Sequence, residues 1–429
     1  VNLTALKVYR DPRLIAIAFL GVSSGLPLAL TMSTLSLWLA ESGVNRATIG
    51  AFALVGLPYS IKFLWAPIID HVRLPLLTKI FGQRRGWMLL TQILLAVSVY
   101  FMGQVDPRTN IGLMSMLAVA VTFFSASQDV VIDAFRIEVL DEKSYGAGAA
   151  MIVFGYRVGM IISSAGALFL AASLSWDVVY ALMALCLSFG VITTLLCREP
   201  KRRMERALIK HKLGVRVYQM IVGPFVDFIK KPQWMLILFF IVFYKLGDAF
   251  LGNMLSPFYL DMGFSKTEIA SVTKVFGLGA TLLGGFAGGV LVYRFGMLRA
   301  LLICGVLQVL SNLVFVGLAY EGHSVPALMA AIGAENFSSG MGGAAFVAYL
   351  SSLCSLSFTA SQYALLSALA STGRTFFSAG AGILAEATSW PIFFVVSAAI
   401  AVPGIFALLW LMRSTPRDDT NLDAVESAS

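Results

Sequence analysis

Two acids, Asp129 and Asp133, stand four residues apart in the segment FFSASQDVVIDAFR, with Arg136 one turn further on. On a helix that spacing puts both carboxyls on one face. Lys245 and Asp248 repeat the arrangement at a spacing of three in YKLGDAF. Lys62, Arg157, Lys274, Glu335 and Arg374 lie in equally apolar surroundings. A carboxyl held out of water is driven toward its neutral form, and an approaching cation restores its charge. A buried acid beside a movable base can therefore take up a proton in one arrangement and release it in another. Asp129 is the first candidate for that work, Asp133 the second and Glu335 the third. The competing reading is a set of fixed ion pairs, Asp133 with Arg136 and Lys245 with Asp248. Asp129 fits it least, because its nearest sequence-local base is two turns away. Buried arginines grip carboxylates through paired hydrogen bonds, so Arg157 and Arg374 suit an anionic solute. Lys62 either adds a point charge or reaches toward water. Tyr59, Tyr156, Tyr244 and Trp65 offer flat faces to sugar rings.

The elements that must hold these groups are set by composition. Of 429 residues, 58% are hydrophobic and only 13% charged, where soluble domains carry about 25%. Lipid is the solvent that suits such a chain. Apolar runs and their breakers predict twelve helices, over about 13–40, 47–69, 86–104, 110–138, 145–172, 176–197, 233–260, 267–293, 298–319, 325–353, 360–388 and 391–413. The first run is too long for a signal-peptide core and is read as a retained helix. Inside such spans a charge costs at least about 2.5–3.5 kcal/mol, which makes each a functional candidate. Of the 31 basic residues, 23 fall on one side of the predicted spans and three (Arg46, Arg108, Lys266) on the other. The positive-inside rule then puts both termini in the cytoplasm and accounts for the net charge of +8 without nucleic acid. The four cysteines are scattered through apolar stretches, so neither a disulfide framework nor a metal site is indicated. No Ser-His-Asp, HExxH or phosphate-loop pattern occurs, and His71, His211 and His323 all lie in predicted loops. An enzyme is the least favoured class, and no cofactor is implied.

The chain repeats itself. LSLWLAESGVNRATIG (35–50) aligns without gaps on LSPFYLDMGFSKTEIA (255–270), matching the acids Glu41/Asp261, Gly43/Gly263 and the bases Arg46/Lys266 at an offset of 220. Each copy is the end of the first helix of a half, an outside turn and the start of the second. The predicted organisation is a six-helix bundle over 1–197, a basic cytoplasmic linker over 198–231, a second bundle over 232–413 and a tail over 414–429. Six-plus-six parallel repeats are the plan of the major facilitator fold. The loop after the second helix, with Asp70 followed by Gly82, Arg84 and Arg85, resembles the cytoplasmic-loop motif of that fold, stretched by an insertion. An acid there can pair with the arginines and a nearby helix N-terminus and hold one side closed. In the second half Tyr293 stands near the acid's position, so the latch is expected to be asymmetric. In the first helix, GVSSGLPLAL, Pro27 and the flanking Gly21 and Gly25 predict a broken helix at the cavity; close packing through small residues is the alternative.

Blocks along the chain carry a closer likeness. FALVGLPYSIKFLWAPIID, FFSASQDVVIDAFR, GAENFSSGMGGAAFVAYLSSLC, SQYALLSALASTGR and GILAEATSWP resemble the AmpG-type muropeptide permeases, from about Asp11 to Arg413. The resemblance implies an all-α polytopic protein that imports N-acetylglucosaminyl-1,6-anhydro-N-acetylmuramyl peptides, fragments of cell-wall turnover, with protons. It also implies a Gram-negative inner membrane and an indirect link to β-lactamase induction. By matching blocks, the implied site residues are Gln128, Asp129 and Asp133, with Lys62, Arg157, Glu335 and Asn336. Some members carry further helices after the twelfth; this sequence stops at a short polar tail, so those additions are expected to be dispensable. A carrier of another organic anion, such as a coenzyme A thioester or siderophore, and a non-transporting assembly factor are the alternatives on the same scaffold. The expected partners are an anionic sugar-peptide, protons and the lipid bilayer, and the expected state is a monomer.

Overall fold

The computed structural model of the chain describes residues 8–200, 213–378 and 380–414. All regular elements among them are helices. The long ones are α1 (Pro12–Glu41), α2 (Ala47–Leu64), α3 (Gln83–Gly103), α4 (Ile111–Val139), α5 (Glu142–Ala171), α6 (Trp176–Leu196), α7 (Trp234–Asp261), α8 (Thr267–Phe295), α9 (Met297–Glu321), α10 (Val325–Ser352), α11 (Thr359–Ser378) and α12 (Trp390–Ser414). Ten of these are long and apolar enough to cross a membrane. The other two are α10, which holds Glu335, Asn336 and several Ser and Gly, and α11, which holds several Ser and Thr.

The sequence repeat becomes a geometric one. Gly43 and Gly263 take φ of 77° and 80°, a left-handed turn that a side chain would strain. Val44 N–H bonds Leu39 at 3.0 Å, and Phe264 N–H bonds Tyr259 at 3.1 Å. Asn45 and Ser265 then cap the next helices, accepting from the N–H of Thr48 and Glu268. The two acids of the repeat also share a partner. Trp176 Nε1 donates to Glu41 and Trp390 Nε1 to Asp261, each at 3.0 Å. These bonds tie the start of α6 to the end of α1 and the start of α12 to the end of α7.

Among the described residues, the apolar cores of the halves merge at one end only. One apolar cluster joins Leu14, Ile17, Ile137 and Tyr145 to Val292, Met341 and Phe346, and another joins Leu20, Ile69 and Val131 to Ala360 and Ala364. At the opposite end the clusters around Trp38 and around Phe258 stay within their own halves. The molecule is therefore closed at the end bearing the α2–α3 loop. A helix over Leu213–Ile229 lies under that end. Gln362 Nε2 donates to its Pro224 carbonyl and Asp227 carboxylate at 3.1 and 2.7 Å. The rest of the expected linker, 201–212, and the tail beyond Ser414 lie outside the described residues.

The expected break in the first helix is not found at Pro27. α1 runs unbroken through Pro27 to Thr31 and bends only at Met32. The small residues serve packing: a methyl group on Gly25 would strike the Tyr156 carbonyl of α5, and one on Gly155 the Ala18 carbonyl of α1. Such backbone-to-backbone approach is the alternative that small residues permit in lipid. The break appears in α7, which unwinds between Phe243 and Leu246 around Lys245, the counterpart of Gly25 at the repeat offset of 220. α2 is also interrupted, by 3₁₀ turns at Phe52–Gly56 and Lys62–Leu64.

The α1–α5 seam makes Gly155→Val an overpacking change worth about 1–3 kcal/mol or more. It is expected to lower the melting temperature and yield of the purified protein, whereas Gly112→Ala, where a Cβ meets nothing within 4 Å, leaves both unchanged. Equal melting temperatures for the two variants would remove the seam from the stability argument.

Candidate functional site

Midway between the halves lies a cavity of about 820 Å³. Its charged lining comes from three helices: Arg157 of α5, Lys245 and Asp248 of α7, and Glu335 of α10, with Ser339 and Thr281 beside them. Lys245 Nζ donates to Asp248 at 3.0 Å and to the Ser339 carbonyl at 3.3 Å, and Ser339 Oγ donates to Asp248 at 3.3 Å. The unwound turn of α7 thus lets the lysine reach across to α10. Asn336 accepts from Thr281 Oγ1 at 2.8 Å and donates to the Ile332 carbonyl, which fixes α8 against α10. Four of the sequence-predicted residues therefore converge on one space, and a fifth braces its wall.

The acids of α4 sit outside that lining. Asp129 is 9% exposed and accepts a hydrogen bond from Ser24 of α1. Tyr59 and Tyr156 stand near it, as do the charges of Lys62 and Asp133. Tyr59 donates to Ser125 at 2.9 Å and Trp65 Nε1 to Ser127 at 3.0 Å, so both rings are anchored to α4. Asp133 bonds Arg136 at 3.3 Å, as local spacing suggests, but Arg136 also donates to Ser351 at 3.2 Å and lies over the Tyr363 ring. It is a tie between halves, a role its own helix could not reveal.

Of the expected solute-binding residues, Tyr59, Lys62, Gln128, Tyr156 and Tyr244 do not line the cavity. Tyr244 is 3% exposed, donates to the Leu301 carbonyl at 2.8 Å and stacks on Phe346; its ring and its hydroxyl are both spent on the core. Gln128 is fully buried and accepts from Ser23 of α1 at 3.5 Å, outside the cavity lining. Arg374 lies on α11, but its side chain is outside the described residues.

Asp70 anchors a second constellation. Its carboxylate accepts from Arg84 at 2.7 Å, from the N–H groups of Ala360 and Ser361 at 3.1 and 2.8 Å, and from Ser361 Oγ at 2.6 Å. Those N–H groups open α11, where backbone donors and the helix dipole favour an anion. Arg84 also binds Glu138 of α4, and Glu199 accepts from the N–H groups of Arg84 and Arg85. Arg85 itself reaches the Thr194 and Leu195 carbonyls of α6. Glu138, Glu199 and Ser361 were not legible as partners, because each comes from an element distant in sequence. In the second half Arg294 lies over Phe295, and Tyr293 replaces the acid.

Paired helical halves, a charged cavity between them and closure at one end define a multi-pass membrane transporter of major facilitator architecture. The Major Facilitator Superfamily model matches residues 15–246 and 238–428. The chain is 43% identical over 406 residues to the anhydromuropeptide permease of Escherichia coli K12, covering 94% of this chain and 80% of that one. It is 37% identical over 409 residues to the putative transporter AmpG 4 of Rickettsia felis, covering 95% and 98%. Its fold is similar to that of the proton:xylose symporter XylE, with a TM-score of 0.65 at 13% identity over 97% of each chain. The chain belongs to the AmpG-type permeases of the Major Facilitator Superfamily, and it is a transporter, not an enzyme.

Because Tyr244 is structural, Tyr244→Phe is expected to cost about 1 kcal/mol of stability through its lost buried hydrogen bond and to leave solute uptake at the wild-type rate. A changed KM for uptake at unchanged stability would return Tyr244 to the site.

Proposed function

We propose that this protein is a proton-coupled importer of N-acetylglucosaminyl-1,6-anhydro-N-acetylmuramyl peptides in a Gram-negative inner membrane, working by alternating access. The observation that carries the reading is the cavity, where Arg157 of the first half and Lys245 of the second, the latter paired with Asp248, face one space. A disaccharide joined to a carboxylate-bearing peptide suits such walls. The relative named as an anhydromuropeptide permease supports this substrate. An inside-negative potential opposes inward movement by about 2.3 kcal/mol per negative charge per 100 mV. Protons carried on Asp129, with Asp133 and Glu335 as further acceptors, offset that cost.

The basic asymmetry of the sequence supports cytoplasmic termini. In that orientation the closed end faces the cytoplasm and the cavity opens outward. Asp70 and Arg84 then act as a latch, with Arg85 securing α3 to α6. Opening strips Asp70 of three donors from α11, which keeps the closed and open states distinct. Arg374, on the helix equivalent to α5, shares the solute from the second half.

The test is uptake of labelled anhydromuropeptide into proteoliposomes under an imposed pH gradient, with and without a proton ionophore. Uptake is expected to depend on the gradient and to collapse with the ionophore; absence of uptake under both conditions would overturn the substrate. Asp129→Asn should abolish gradient-driven uptake in a protein that still folds and inserts, and wild-type rates in that variant would remove Asp129 from the mechanism. Arg157→Ala should weaken binding of the peptide-bearing ligand by about 1.5–3 kcal/mol, the worth of a charged hydrogen bond, with little effect on the bare disaccharide. Equal losses for both ligands would sink the carboxylate assignment.

A further inference from the structure

Ser23 and Ser24 of α1 face Gln128 and Asp129 of α4 in register. Ser24 donates to Asp129, and Ser23 donates to Gln128 Oε1 at 3.5 Å, both within the first half. From Ser23 the polar groups continue. Its hydroxyl and the Gln92 amide of α3 converge on Gly190 of α6, where a methyl group would strike Ser23 Oγ and come within 3.1 Å of Gln92 Nε2. Gln92 Oε1 accepts from Thr194 Oγ1 at 3.0 Å. The Thr194 carbonyl accepts from Arg85 at 3.0 Å, and the Arg85 N–H reaches Glu199 at the closed end. Gln92, Gln128 and Thr194 are all fully buried.

Packing alone does not call for this seam. The amide nitrogens of Gln92 and Gln128 are buried with no partner among the described residues. An unpaired buried donor costs about 1–3 kcal/mol, and ordered water is the usual remedy where several polar groups converge. A leucine at position 92 would fill the same space without that cost.

We propose that the seam holds a chain of ordered waters that carries protons between Asp129 and the Glu199 end, apart from the solute cavity. The inference rests on the proton-coupled reading above. In the step, the Asp129 O–H breaks and its proton passes to the first water. Each water accepts one proton and gives one, and the last releases a proton to solvent beside Glu199, leaving Asp129 as carboxylate. The serine hydroxyls relay in the same way, while the two glutamine amides only orient the waters. Both serines ride on α1, so a shift of α1 changes the hydrogen bonding of Asp129 and of the seam together.

The test compares two modes in proteoliposomes: net uptake of labelled anhydromuropeptide driven by a pH gradient, which requires proton release inside, and exchange against internal unlabelled solute at equal pH, which does not. In Gln92→Leu, net uptake is expected to fall at least about tenfold, as for loss of a proton-transfer step, while exchange stays near the wild-type rate. Thr194→Val is read in the same way and serves if Gln92→Leu does not insert. Equal losses in both modes, or no loss in either, would overturn the seam. Asp129→Asn, run beside them, separates the two ideas: if its gradient-driven uptake is intact, proton coupling through Asp129 is wrong whatever the seam variants do.

Discussion

The closed end of the molecule depends on one buried carboxylate. Asp70 is 2% exposed and draws two N–H groups and a hydroxyl from the start of α11, in addition to Arg84 from its own half. A buried charge is stable only while its donors surround it; removing one partner of such a pair costs about 3–5 kcal/mol. The other ties at this end gather around it. Gln83 donates to the Asp70 and Ile69 carbonyls, Glu138 holds the far side of Arg84, and the Leu213–Ile229 helix is bonded to Gln362, the residue after Ser361. The contact is thus supported from both halves and from the chain between them.

Away from that end the two halves keep their symmetry in one respect and lose it in another. The turns at Gly43 and Gly263 and the tryptophan–acid bonds are near copies. They set how the first, second and sixth helices of each half leave the turn, a task that is the same in both. At the cavity the copies part. Where α1 has Gly25 pressed on α5, α7 has Lys245 at an unwound turn. A glycine there gives a rigid seam; a lysine gives a charge that needs partners, and the unwound backbone lets it find Asp248 and Ser339.

What the sequence revealed follows the same division. The all-helical, membrane-spanning character and the repeat were legible because apolar runs and turn residues act locally. The charged residues of the cavity were legible because a charge in an apolar run is too costly to keep without a task. Tyr244 and Gln128 misled, since polar side chains in spans face either a cavity or a buried partner, and periodicity does not say which. The break expected at Pro27 failed for a related reason. Proline removes one hydrogen bond, but the seam with α5 keeps the rest of the helix in place. Ser24, Glu138, Glu199 and Ser361 were silent because their importance lies wholly in partners far along the chain.

The separation of Asp129 from the cavity lining bears on how proton and solute are coupled in the proposed cycle. The solute's charged contacts come from Arg157 of α5 and from α7 and α10, while Asp129 is held by Ser24 of α1. For Asp129, unlike Glu335 in the cavity wall, direct contact with the solute is therefore not the link. The link is the α1–α5 seam: with Gly21, Gly25, Gly155 and Gly159 bringing the two backbones together, the helices cannot slide past one another without collision. A solute that draws on Arg157 thus acts on α5 and α1 as one body. That body carries the hydroxyl that bonds Asp129, so in the proposed cycle solute binding acts on the acid through the packing of α1 against α5.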